Sequence, residues 1–276
     1  MCQFPRYTVL MSVYHKEKPE YLRISINSML DQTVKPSEFI IVEDGTLTPQ
    51  LYAVIDTFTK ENRGLFKIVK NKKNLGLGPS LNKGIKIAKN EFIARMDSDD
   101  YSVPTRCEEE LKIFKRYPDL GIVGSFEAEY IDEIENVVSV HKVPEKNSEI
   151  KKFMKRRCAI LHPTVMYKKS EVIRSGNYHS VPLYEDYDLF SRMTLKSGVK
   201  SYNIQKNLYY IRTSPDFYKR RGGIKYAKTA LQFKAKLYKQ GYMSIIDFFI
   251  SGLGQSMVCL LPNSMRKVFY NKVLRK

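Results

Sequence analysis

Residues 71–100 read NKKNLGLGPSLNKGIKIAKNEFIARMDSDD, and two periods meet inside them. Leu81, Ile85, Ile87 and Ala88 recur at helical spacing, which predicts a helix over 79–89. EFIARMD at 91–97 predicts a short strand after it. Asp97, Asp99 and Asp100 then crowd three carboxylates into four positions. Like charges so close repel one another, so something should offset them. A helix leading back into a buried strand is half of a strand–helix–strand crossover, the unit that builds parallel sheets.

The same unit repeats upstream. TVLMSVY (8–14), EFIIVED (38–44) and LFKIVKN (65–71) read as strands. Between them lie a helix over 19–30, with Pro19 in its first turn, and a second running from Thr48 and Pro49 to about Asn62. Repeats of this length imply right-handed crossovers. They predict an α/β class: a Rossmann-like, doubly wound, mostly parallel sheet. Polar residues gather at four strand ends: Tyr14 to Glu17, Glu43 to Gly45, Asn71 to Asn74, and Asp97 to Asp100. Ligands bind outside the carboxyl ends of such strands, so these loops mark one site.

After Asp100 the pattern changes. The sequence predicts a helix over 104–117, hairpin strands over 121–132 and 137–143, and a basic helix over 147–157. A strand follows over 162–169, then a short helix ended by Gly176, a helix over 184–196 and a strand over 201–212. From Gly223 onward helices dominate. The expected organisation is a catalytic domain over 1–215, with halves 1–100 and 101–215, and a helical basic region over 216–276.

The 276 residues are 43% hydrophobic, a globular composition. Cys2, Cys107, Cys158 and Cys259 show no paired spacing, which argues against a zinc site or disulfide framework and fits a reducing cytoplasm. No secretion signal is read at the N-terminus. Charge is unevenly placed: residues 191–276 hold 18 Lys+Arg against 2 Asp+Glu, nearly all of the chain's +18. Such a tail suits nucleic acid, anionic lipid or a phosphorylated substrate, and composition does not choose among them.

Asp97 and Asp99, two apart at a strand end, should face one side. Two hard carboxylates aimed at one spot suit Mn2+ or Mg2+, which keeps water or phosphate as further ligands. The plainer alternative is that such a pair caps a helix or decorates a loop, with Ser102 or Asp100 capping the next helix. G76-L-G78 fails as a dinucleotide loop, because position 81 is Leu and the motif follows the third strand.

Five stretches together resemble the family 2 glycosyltransferases of the GT-A fold: SVYHKEKPEYLRISINSMLDQT (12–33), FIIVEDG (39–45), the opening stretch, LHPTVMYKKS (161–170) and YEDYDLFSRM (184–193). The resemblance spans residues 8–195. It implies that Asp97 and Asp99 hold a metal bridging the diphosphate of a sugar nucleotide. It implies that Tyr14 lies against the base, that Asp44 accepts a hydrogen bond from a uridine, and that Asn74 packs near the nucleotide. Glu17 is a further candidate in the first loop. Arg95 would balance the acids or touch phosphate, and Arg212, or a loop carrying Arg220 and Arg221, would contact the diphosphate. At the acceptor site it implies Asp186 as catalytic base and Glu185 as a positioning residue. Each has a plainer reading: Asp44 as a turn residue, and Glu185 and Asp186 as helix-start acids. For His162 a structural role is favoured over acceptor contact, and Asp188 reads as structural. The chain departs from the family pattern at Ser12, where proline is common, at Leu81, where some members carry Arg, and near Arg212, where an R-x-H is missing.

The apolar stretch 245–261 is broken by Asp247, Gly252, Gly254 and Gln255 and flanked by basic residues. It reads as an interfacial helix more than a membrane span, with an ordinary packing helix as the alternative. The expected activity is an inverting, metal-dependent transfer of a galactose- or glucose-type hexose, N-acetylated or not, from a UDP-sugar. The expected acceptor is a saccharide on polyprenyl diphosphate in bacterial surface-polysaccharide synthesis, at the inner face of the cell membrane and against an anionic surface. Nucleic acid is not an expected partner. The rivals are a sugar-nucleotide pyrophosphorylase, for which VYHKEKPEY lacks the Gly-rich basic loop, a receiver-like signalling domain, and a nucleic-acid-binding protein built on the basic tail.

Overall fold

The computed structural model describes residues 4–213, 222–262 and 265. Its first half follows the sequence pattern. Strand β1 (Tyr7–Val13) pairs in parallel with β2 (Glu38–Glu43) on one side and β4 (Phe92–Met96) on the other, and β3 (Phe66–Lys70) lies beyond β2. Helices α1 (Pro19–Leu30) and α2 (Pro49–Glu61) cover one face, packing Leu22, Ile26, Val54 and Ile55 with Val9 and Met11. Helix α3 (Leu77–Ile87) covers the other, packing Leu81 and Ile85 with Leu10, Ile40 and Val42. Alternate β1 side chains therefore enter different cores, and the strand reads as a continuous apolar run because both faces are buried.

The chain walks outward from β1 to β3, then returns to place β4 on the far side of β1. This reversal opens a crevice at the carboxyl ends of β1 and β4, where doubly wound sheets hold ligands. The loops carrying Tyr14 and Asp97 leave the sheet there.

The second half extends the same sheet. Strand β8 (Met166–Lys168) pairs antiparallel with β4 and with β6 (Leu120–Tyr130). Strand β9 (Lys200–Arg212) runs parallel to β6 in the longest ladder of the molecule, and β5 (Tyr101–Ser102) pairs antiparallel with the far end of β9. Strand β7 (Val137–His141) forms the expected hairpin with β6. Helices α4 (Arg106–Arg116), α5 (Asn147–Met154), α6 (Lys169–Arg174) and α7 (Glu185–Ser191) connect these strands, and α7 continues into a π turn over Arg192–Lys196.

Two local expectations change. The strand read over 162–169 is only Met166–Lys168, because His162–Thr164 form a 3-10 turn in which Pro163 cannot donate to a ladder. The helix read over 147–157 stops at Met154. The sequence reading also missed β5, whose two residues carry no period.

Helix α8 (Ile224–Lys239) buries Ala230, Phe233 and Leu237 in the core that holds Tyr184 and Tyr187. The Phe233 ring stacks on Tyr184 with centroids 4.4 Å apart. Then follow α9 (Ile245–Phe248), a π turn over Phe249–Leu253 and α10 (Gly254–Leu260). Among the described residues no helix is long and apolar enough to cross a membrane. The expected boundary at 215, and Arg220 and Arg221, lie outside the described residues.

The closest helix–sheet approach is at Gly84 of α3, where an added Cβ would collide with Leu10 Cδ1 and stand 3.3 Å from Val42 Cγ2. Gly84→Val is expected to destabilise at the upper end of the roughly 1–3 kcal/mol range for overpacked cores. Thermal unfolding would show it as a melting temperature lower by several degrees, roughly 2–4 °C for each kcal/mol. An unchanged melting temperature would contradict this packing.

Candidate active site

Four strand ends build the nucleotide side of the crevice. After β1, Tyr14 is 41% exposed and meets the His15 ring edge to face at 5.9 Å. Glu17 turns toward β4, where its Oε2 accepts a 2.6 Å hydrogen bond from the Ser98 hydroxyl. After β2, buried Asp44 faces the loop between β3 and α3. Its Oδ1 accepts from the Leu75 N–H at 2.7 Å and from Asn71 Nδ2 at 3.0 Å, and its Oδ2 accepts from the Gly76 N–H at 2.9 Å. Asn74 donates back to the Asp44 carbonyl at 3.4 Å. Gly45 has φ +91, and a Cβ there would stand 2.9 Å from the Asn74 nitrogen, so glycine is required at this crossing of two loops.

The acids after β4 have different tasks. Arg95, 2% exposed, grips both carboxylate oxygens of Asp97, whose side chain stays 32% exposed at the crevice. The Asp97 N–H donates to the Tyr209 hydroxyl at 3.1 Å. Asp100 is buried, and its Oδ1 accepts from the Arg212 N–H at 2.9 Å, closing β9 onto the loop. Burial, then the charges of Asp99 and Asp97, hold the Asp100 carboxyl well above the usual range. The Arg212 guanidinium donates to the Asp99 and Asp132 carbonyls and lies 4.0 Å from the Tyr21 ring centroid and 4.7 Å from that of Tyr130. In this conformation Arg212 braces the aspartate loop. Asp99 keeps the surplus charge: burial, then Asp97 and Glu17, push its carboxyl up to about 7.

The other side of the crevice approaches through α3. Gly78 packs against Tyr178 and Glu185, with a Cβ placed 3.3 Å from Tyr178 Cβ and 3.5 Å from Glu185 Cγ. Asn82 pins the Tyr178 backbone at 2.8 and 2.9 Å. Glu185 and Asp186, both half-buried, begin α7 one and two residues after Tyr184. Burial, with the Asp186 charge adding, holds the Glu185 carboxyl above its usual range. His162 is buried, and its Nε2 meets the Tyr178 hydroxyl at 2.8 Å. Burial, then nearby Arg95, hold its ring well below the usual value and therefore neutral. His162 is thus packed behind Tyr178, within reach of the Arg95 field.

Two residues fix α7. Asp188, 1% exposed, bonds Arg192 at 2.8 Å, His179 at 3.2 Å and Lys236 of α8. Burial works against its charge, but hydrogen bonds from Lys236 and Arg192 win and hold the carboxyl below the usual range. The Tyr187 hydroxyl donates to the Met154 carbonyl at 2.7 Å and meets Lys234 Nζ at 3.1 Å. Leu183, just before α7, has φ 69, a left-handed conformation that costs a non-glycine residue about 1–2 kcal/mol.

The family model described as Glycosyl transferase family 2 matches residues 8–174, well over half of the chain. The chain belongs to glycosyl transferase family 2. An Escherichia coli relative described as a UDP-Gal:alpha-D-GlcNAc-diphosphoundecaprenol beta-1,3-galactosyltransferase is 37% identical over 99% of this chain and 98% of its own length. An amylovoran biosynthesis glycosyltransferase of Erwinia amylovora is 29% identical over 96% of this chain and 98% of its own. Among solved structures, a Pyrobaculum calidifontis mannosyltransferase in complex with GDP-Man and Mn2+ matches with a TM-score of 0.65 at 14% identity, covering 96% of this chain and 72% of that one. Staphylococcus aureus TarS 1–349 in complex with UDP-GlcNAc matches at 0.59 and 16% identity, covering 84% and 66%. The fold is therefore GT-A, and the protein is a glycosyltransferase.

The donor set of this family 2 member fits a divalent cation. Asp97, Asp99, Glu17 and the Ser98 hydroxyl are hard oxygen donors, and burial, then the charges of Asp97 and Glu17, raise the Asp99 carboxyl. Among the described residues no three His, Cys, Asp or Glu gather closely enough to hold a cation alone. Sequence reasoning missed Ser98, Tyr178 and Tyr209, which act through distant contacts and stand in no motif with a spacing of its own.

Asp44→Ala should loosen the loop over 71–76 by leaving the Leu75 and Gly76 N–H groups without their acceptor. The expected cost is roughly 2–3 kcal/mol in chemical denaturation, and an effect under a few tenths would refute the bracing role. Burial lowers Lys234 from 10.5 to about 7. Between those values the unfolded chain binds a proton that the folded chain has released, so stability should rise with pH, by about 1.4 kcal/mol per unit at most. Denaturation from pH 7 to 10 should show this rise, and Lys234→Met should flatten it.

Proposed function

We propose that this glycosyltransferase moves galactose from UDP-galactose to a saccharide carried on a polyprenyl diphosphate lipid, with inversion at the anomeric carbon. The observation that carries this reading is the near full-length, 37% identical relative whose described reaction has these elements. That relative makes a β linkage, and the glycosyl bond of UDP-galactose is α. One displacement with inversion accounts for the change.

The residues suit such a displacement. Tyr14 would lie along the base. Asp44 would meet the uracil edge with an oxygen lone pair left free by the Leu75 and Gly76 bonds. Asp97 and Asp99 would hold Mn2+ or Mg2+, which supplies charge stabilisation for the leaving diphosphate. Arg95 orients Asp97 through both of its carboxylate oxygens. Asp186 takes the proton from the acceptor hydroxyl as that oxygen bonds to the anomeric carbon and the bond to UDP breaks. Glu185, more readily protonated, would donate to an acceptor or sugar hydroxyl. Arg212 would reach the diphosphate only after leaving its tyrosine cage. His162 supports Tyr178 from behind, and its acceptor contact would be indirect. We assign residues 1–100 to donor binding and 101–215 to acceptor binding, with the work done at the inner face of the cell membrane.

Titration calorimetry with UDP, with and without Mn2+, tests the donor half. Metal-dependent binding is expected, weakened at least about tenfold by Asp99→Ala, roughly the loss of one charge-assisted contact. Binding indifferent to metal would remove the assignment of Asp97 and Asp99. Asp186→Asn should lower kcat by about 10²–10⁴ with UDP binding retained. An α-linked product by NMR would overturn both inversion and the role of Asp186.

A further inference from the structure

The segment from α9 through α10 leaves an apolar stripe in water. Ile246, Phe249, Ile250, Leu253, Met257 and Leu260 are all exposed, with Ile246 and Met257 both at 64%. The opposite side is packed: a Cβ added at Gly252 would stand 3.3 Å from Leu231 Cδ1 of α8, Cys259 is buried, and Gln255 donates to the Tyr184 hydroxyl at 3.0 Å. In a regular helix, residues four apart rotate by roughly 40° per step. The wider i→i+5 turn over Phe249–Leu253 counters that drift and keeps residues 245, 249, 253 and 257 on one face.

This stripe has a cationic rim. Helix α8 runs antiparallel to it: Gly223 donates to the Cys259 carbonyl at one end, and Tyr238 meets the Phe248 ring at 5.9 Å at the other. Lys225 and Lys228 are exposed at the first end and Lys239 at the second. At the start of α9, Arg156 pairs with Asp247 at 2.6 Å, with Lys155 exposed beside it. Asp247 is the only acid among residues 222–262, and that pair neutralises it. An apolar stripe within a belt of lysines, free of net negative charge, matches an anionic bilayer surface.

We propose that this face is a membrane-docking surface, lying in the interface of an anionic leaflet with the stripe among the acyl chains and the lysines at the headgroups. Its purpose rests on the lipid-carried acceptor proposed above. Docking would hold α8 at the bilayer, and Lys234 and Lys236 of α8 touch Tyr187 and Asp188 beside Asp186. The acceptor site would then face the surface from which its substrate is drawn.

Flotation of the full chain with vesicles tests the surface. Binding to phosphatidylglycerol–phosphatidylethanolamine vesicles is expected to exceed binding to phosphatidylcholine by at least about tenfold and to fall in high salt. F249E/M257E should abolish flotation while leaving metal-dependent UDP binding unchanged. K225E/K228E, which alters no apolar packing, should cut binding to anionic vesicles by about tenfold. Wild-type protein that does not float overturns the proposal, as does F249E/M257E floating like wild type. Sedimentation showing a wild-type dimer that F249E/M257E splits, with no flotation by either, would assign the face to a second copy instead. If F249E/M257E loses UDP binding as well, K225E/K228E decides, and its unreduced flotation overturns the proposal. Flotation without any UDP binding would leave this surface standing and sink the donor assignment.

Discussion

Four carboxylates, Glu17, Asp97, Asp99 and Asp100, lie near the end of β4, and among the described residues Arg95 and Arg212 are the cations in contact with that loop. Arg95 is committed to Asp97, and Arg212 meets the loop through backbone groups. The surplus falls on Asp99 and Asp100, whose carboxyls are pushed upward by burial and by their neighbours. Repulsion of this kind is unfavourable in the empty protein and becomes an attraction when a cation arrives. The surrounding architecture holds the four groups together against it: Ser98 ties the first loop down, Tyr209 holds the Asp97 backbone, and β9 ends on Asp100.

A second constraint links the two sides of the crevice. Helix α3 begins where Asp44 holds Gly76 and continues past Gly78, which lies against Tyr178 and Glu185. One helix start therefore touches both sides of the crevice. Helix α7, which carries Asp186, is fixed from behind by Asp188 and Tyr187 through two lysines of α8. Buried ion pairs of Asp188 hold that helix against α8, so the basic C-terminal region supports the candidate site.

The first hundred residues were legible because their signals are local. Apolar runs, Pro19, Thr48 and Gly45 mark the element ends, and the acids follow the strands in the order that the sheet needs. The second half was less legible. Its strand β8 is three residues long, β5 is two, and β6 takes its longest partner, β9, from about eighty residues away. Pairings of that kind have no period to read. The i, i+2 alternation also does not carry past Met96, where β4 ends, so the separate duties of Asp97, Asp99 and Asp100 come from their partners and not from strand geometry.

The sequence by itself determined the α/β class, the family, and which residues are candidates for the site. Those depend on composition, spacing and local propensity, which the chain carries in one dimension. Only the tertiary structure decided what each residue does in the folded protein. It set Arg212 in a tyrosine cage, put His162 behind Tyr178, assigned Asp100 to the end of β9, and turned the apolar side of 245–260 outward. These outcomes are contacts between segments distant in sequence, and burial and charge balance select them only after the sheet has brought those segments together.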